Sequence, residues 1–147
     1  MGLFDKVRGV KDAETKLSKE ESFASITLVA IAADGIVTEA EAQGLIVGLA
    51  RMKTYAGYNG KQMAAMLNKL IGLLKDQGAD ALLGMAKDAL PEDMRETAFA
   101  VATDLALADG ELASQEKDLL TKIQQGLGIP EEKAVSIIEV MLIKNKG

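Results

Sequence analysis

Apolar residues in this chain recur at spacings of three and four rather than alternating, a pattern that predicts helices and no convincing strand. Phe23, Ile26, Ala30 and Ala33 form one such stripe, within a helix predicted from about Lys19 to Ala33. Ser18 followed by Glu21 reads as a capping box, in which a hydroxyl and a carboxylate satisfy amide groups left free at a helix start. Asp34-Gly35 is predicted to end this helix, because Gly accepts the left-handed conformation that closes one. Thr38 and Glu41 repeat the capping box and open a helix to about Met52, with Leu45, Leu49 and Met52 inward.

A polar, Gly-containing joint at residues 55–60 precedes a long helix marked by Met63, Met66, Leu67, Leu70, Ile71 and Leu74, whose methionines are expected to pack in the core. Gly78 breaks that helix, and a shorter one follows over about Asp80 to Leu90. Pro91 is expected to open a helix running to Ala108, since the first helical position needs no amide donor. Helices over Ser114 to Leu127 and Pro130 to about Lys144, separated by Gly128, complete the chain. Leu3, Phe4, Val7 and Val10 share a face of a further short helix, about residues 3–11, beside Lys6, Arg8 and Lys11. It is expected to lie on the domain's own core, with contact to a membrane surface as the lesser alternative. Together these elements predict one all-α domain over residues 1–147, a bundle of seven or eight helices.

Two stretches resemble each other. Ala33-Asp34-Gly35 through Glu41 aligns with Ala108-Asp109-Gly110 through Glu116 at an offset of 75, with Asp, Gly, an apolar residue and Glu coinciding. Each motif follows a helix of small and apolar residues. The chain therefore reads as two helix–loop–helix repeats, about 19–53 and 91–127, expected to pack about a pseudo-twofold axis. The spacing also resembles the second half of an EF-hand loop. However, the positions that should supply the first oxygen ligands are Ala30, Ala32, Leu105 and Leu107, so neither unit is a calcium-binding EF-hand.

Charge sharpens the pattern. The net charge is −5, yet residues 30–50 carry −3 and residues 104–118 carry −4, which leaves +2 for the rest. The acidic surplus thus belongs to the two motifs. Lacking a basic surplus, the chain is not expected to bind nucleic acid. It contains neither Cys nor His, which removes thiolate chemistry and the commonest general base and zinc ligand. No nucleophile–base pair, phosphate loop or dinucleotide fingerprint is present, and the expectation is a protein that is not an enzyme. The longest uncharged stretch, Ser22 to Ala33, is about half of what a spanning helix needs, and no signal peptide is evident. A cytoplasmic location is therefore expected.

The paired Ala-Asp-Gly motifs with Glu seven positions after Asp, the 75-residue duplication, the helical pattern and the Phe-Asp-Lys-Val start resemble the TerB tellurite-resistance family across essentially the whole chain. The resemblance implies a helical domain in two related halves, associated with resistance to tellurite and other stresses. It also implies acidic loops that hold a divalent metal, and partners among other Ter proteins, including membrane-bound TerC. By motif, the metal positions are Asp34, Glu41, Asp109 and Glu116, with Glu39, Asp104 and Glu111 as secondary candidates. Ala113 departs from the pattern where the first unit has Thr38, so the second helix is expected to start at Ser114.

Two readings of the motifs follow. In the architectural one, Asp34 and Asp109 bond turns and Glu41 closes a capping box; the protein is then an adaptor whose acidic loops meet a partner without metal. In the other, the loops face one another and four carboxylates converge on a hard cation such as Ca²⁺ or Mg²⁺. Asp104, which interrupts an apolar run, is expected at the edge of the buried face with solvent or a basic partner, since an unpaired buried carboxylate is costly. Lys144 and Lys146 are expected to be solvated.

Overall fold

A computed structural model describes residues 16–32, 36–107, 112 and 114–146. The expected helix at 3–11, the Asp34-Gly35 stop, and Ala33, Asp34, Asp109 and Glu111 lie outside the described residues. The described residues form seven α-helices: α1 (Lys19–Ile31), α2 (Glu39–Ala50), α3 (Gly60–Gln77), α4 (Ala79–Ala89), α5 (Arg95–Ala106), α6 (Ser114–Gly126) and α7 (Glu131–Lys144). Short 3-10 turns at Lys53–Tyr55 and Glu92–Met94 precede α3 and α5. There is no strand among them, as the spacing predicts. None of these helices is long and apolar enough to cross a membrane.

Both expected capping boxes form. Ser18 Oγ accepts from the Glu21 amide at 3.1 Å while Glu21 Oε1 accepts from the Ser18 amide at 2.9 Å, and Thr38 with Glu41 repeats both distances. A third box, Asn59 with Gln62, starts α3 inside the stretch read from the sequence as a joint. Asn with Gln three residues later carries the same donors and acceptors as Ser with Glu. The expected helix over Pro91 to Ala108 is modified: Pro91 is extended, and a 3-10 turn intervenes before α5 begins at Arg95. Such tightened turns are common at helix starts.

The main departure from the predicted stripe is α1. Every residue from Ser22 to Ala30 is buried, so this helix is covered on all sides rather than along one face. It packs against α2, α3, α4, α5 and α6. The uncharged run that is too short for a membrane is instead the centre of the bundle, where an all-round apolar helix belongs. Two of its hydroxyls bond to the preceding turn, Ser25 Oγ donating to the Glu21 carbonyl and Thr27 Oγ1 to the Ala24 carbonyl, both at 2.8 Å, while the buried Ser22 Oγ has no such bond.

At the start of α1, Tyr55 is buried beside Phe23, and its hydroxyl donates to the Glu20 carbonyl at 2.7 Å. The rings of Phe23 and Tyr55 meet edge to face at 6.4 Å, and those of Tyr55 and Tyr58 at 5.6 Å. Burial pushes the Tyr55 phenol well above its ordinary value. Glu21 also ties α1 to α3 through Lys69 at 2.7 Å. Partial burial works against its charge, but the bonds to Lys69 and the Ser18 amide hold its carboxyl below the ordinary carboxylate value.

Gly78 is the whole joint between α3 and α4, with φ 89° and ψ 167°. That combination is nearly closed to L side chains. No atom stands within 4 Å of where a Cβ would sit, so the cost of Gly78→Ala is purely one of backbone conformation. It is expected to be about 1–3 kcal/mol. Gly84, inside α4 with equally open surroundings, should respond oppositely: Gly84→Ala is expected to stabilise by about 0.5–1 kcal/mol through lost chain entropy. Urea melts of the two variants check the contrast.

Candidate functional site

Glu41 and Glu116 occupy the same place in their respective helices. Each is the third residue of its helix, in the first turns of α2 and α6, where the backbone dipole favours negative charge. The Thr38 box fixes Glu41, and α6 starts at Ser114, as the departure at Ala113 predicts. Although the two glutamates are 75 positions apart, both line one cavity of about 400 Å³.

Its other walls are Gly44 and Leu45 from α2, Ile31 at the end of α1, and Leu105 and Ala106 at the end of α5. Ile31 and Ala106 are also counterparts at the offset of 75. The cavity thus has an apolar floor and carboxylates from two helix starts. Glu41 is exposed and Glu116 half-buried. The absence of a side chain at Gly44 keeps the wall beside Glu41 low, with nothing within 4 Å of a Cβ built there.

The donor set at this cavity consists of hard carboxylate oxygens, the chemistry that suits Ca²⁺, Mg²⁺ or Mn²⁺. One oxygen is engaged, since Glu41 Oε1 accepts from the Thr38 amide at 2.9 Å. No group of three or more potential metal-ligating side chains occurs among the described residues. The two glutamates offer carboxylate oxygens at the cavity, and the remaining candidates, Asp34, Asp109 and Glu111, lie outside the described residues.

The other secondary candidates are placed elsewhere. Glu39 is exposed in the first turn of α2 and is not among the residues that line the cavity. Asp104 sits at the edge of the buried face with a basic partner, as expected: its Oδ1 accepts from Lys144 Nζ at 3.1 Å and from Asn145 Nδ2 at 2.8 Å. This pairing corrects the reading of Lys144 as merely solvated. Asp104 thereby anchors the end of α7 against α5, a function its position in an apolar run could suggest but its distant partners could not reveal. Gly44 and Leu45 went unrecognised as cavity walls because helical spacing alone does not say which neighbour a face meets.

The fold and cavity define a class: an all-helical bundle in which two acidic helix starts share a pocket. The family model described as tellurite resistance protein TerB matches residues 20–138, and the chain belongs to the TerB family. Neither the comparison with curated proteins nor that with solved structures gives a match.

Proposed function

We propose that this protein is a non-catalytic, divalent-metal-responsive interaction domain of a tellurite or stress-resistance system. The carrying observation is that Glu41 and Glu116, 75 positions apart, line a single cavity. Like charges gathered at one cavity favour a bound cation over none. Glu41 and Glu116 would hold the ion, joined by Asp34 and Asp109 on the strength of their motif positions. The ion would neutralise the acidic surplus and tie the two helix starts together; the response to it would be read by a partner among the other resistance proteins, membrane-bound TerC included. The missing Cys and His support an oxygen-only site and a role without catalysis.

Thermal melts in EDTA and then in millimolar Ca²⁺, Mg²⁺ or Mn²⁺ test this reading. Binding to the folded state alone stabilises it by about 2.7 kcal/mol at a hundredfold excess over Kd. At about 2–4 °C per kcal/mol for a domain approaching this size, the midpoint is expected to rise by roughly 5–11 °C. An unchanged midpoint with all three ions would sink it.

One observation favours a second reading, an adaptor without metal. Glu41 is already engaged by the Thr38 amide, and helix dipoles offset part of the charge on both glutamates. An adaptor of this kind would bind a basic partner surface with marked salt sensitivity and show no metal-dependent melt.

A further inference from the structure

A larger concavity, about 680 Å³, lies between α6 and α7. Phe99 and Leu107 line it from the α5 side, Leu120 from α6, and Val135, Ile138 and Leu142 from α7. These last three follow the i, i+3, i+7 spacing of a single helical stripe. Of the six exposed large apolar side chains among the described residues, four stand on α7: Val135, Val140, Leu142 and Ile143. Val135 and Leu142, 48% and 47% exposed, belong to the groove, and Ala134 is the single fully buried residue of the helix.

The two charged residues of this groove stand at opposite ends. Arg95, which starts α5, donates to the carbonyl of Leu127, just past the end of α6, so α5 and α6 run in opposite directions. The pairs Lys133–Glu96 at 3.9 Å and Lys144–Asp104 at 3.1 Å lay α7 along α5 in the same direction. Hence α6 and α7 are antiparallel. Lys117, in the first turns of α6, lies at the end of the groove where α7 finishes, and Glu131 opens α7 at the other end. Both are exposed, and among the described residues neither forms an ion pair within its own chain. The groove is apolar along its length, basic at one end and acidic at the other.

We infer that this groove is the docking site of a second copy of the chain, the two copies meeting through α7 about a twofold axis near Ile138. A ligand carrying one sign of charge along its length would meet a like charge at one end. A twofold-related copy meets none. The axis reverses the direction of the second α7, so Val135 of each copy comes beside Leu142 of the other, and Glu131 of each comes to the Lys117 end of the other groove. Every contact across such an axis is made twice. Burial of the apolar stripe drives association, and the two charge pairs fix the antiparallel register. The helices α6 and α7, of 13 and 14 residues, each span about 20 Å, which sets the patch at the small end of specific interfaces. The dimer is accordingly reversible, with dissociation in the micromolar range.

Sedimentation of the full chain across the micromolar range tests this, in EDTA so that a cation at Glu41 and Glu116 plays no part. The mass is expected to rise with concentration from 15.6 kDa toward twice that value. Lys117→Glu and Glu131→Lys, each alone, place like charges at both ends of the interface and should raise the dissociation constant about tenfold or more. An equal mixture of the two variants restores an opposite-charge pair at each end, and its heterodimer should regain the affinity of the unaltered protein.

Leu142→Glu, on the exposed apolar wall, should weaken the dimer to a similar degree, whereas Val47→Glu on α2 should leave it unchanged. All four positions are exposed, and the far-ultraviolet helix signal of each variant should match that of the unaltered chain. A monomer throughout the micromolar range, a dimer indifferent to the charge reversals, or a loss of affinity that mixing does not recover would overturn the assignment. Equal weakening by Val47→Glu would do the same, because it would move the interface to α2.

Discussion

Phe23→Ala is expected to destabilise the protein by about 3–5 kcal/mol, the range for truncating a fully buried aromatic residue. For a chain of this size that is roughly 6–20 °C in melting temperature. Phe23 is 0% exposed and lies on α1, where every residue from Ser22 to Ala30 is buried. Removing its ring would also strip the edge contact from Tyr55, whose hydroxyl bonds back to the Glu20 carbonyl at the start of the same helix. The loss therefore combines transfer of apolar surface, a cavity that close-packed neighbours cannot refill, and a weakened aromatic cluster. Val47→Ala provides the contrast. Val47 is 54% exposed on α2, and its truncation should stay within about 0.5 kcal/mol. Denaturant melts of both variants check the prediction, and similar losses would mean that α1 is not the centre of the fold.

The second large effect is expected from Glu41→Gln combined with Glu116→Gln. This pair should abolish the metal-dependent rise in melting temperature while leaving the metal-free midpoint nearly unchanged. The substitution separates two roles of Glu41. Gln at the third helical position can still accept from the Thr38 amide, so the capping box survives while the negative charge is lost. Thr38→Val provides the reverse separation, weakening the cap by about 0.5–2 kcal/mol while sparing the carboxylate. Under the metal reading, the Gln pair loses metal response and keeps stability, whereas Thr38→Val loses stability and keeps metal response. A metal shift that persisted undiminished in the Gln pair would exclude the cavity as the site.

Much of the fold was legible because its signals are local. The boxes at Ser18 and Thr38 involve groups three residues apart, and the breaks at Gly78 and Gly128 answer to backbone angles of φ 89° and φ 70° at single residues. The Asn59 box was equally local but lay in a Gly-containing stretch that read as a joint. The burial of α1 was harder to infer. An amphipathic stripe and an all-round apolar helix share the same three- and four-residue spacing; they differ in how many neighbours surround the helix, and that is set by the whole bundle.

Sequence by itself determined the helical class, most helix limits, and the concentration of the −5 charge in two related stretches, because periodicity, caps and charge are properties of adjacent residues. Only the tertiary structure decided that Glu41 and Glu116 line one cavity and that Asp104 answers Lys144 and Asn145. The same holds for the face of α7 turned toward the α6 groove. These are encounters between helices far apart in the chain, and they depend on how the helices pack around α1, which no local spacing encodes.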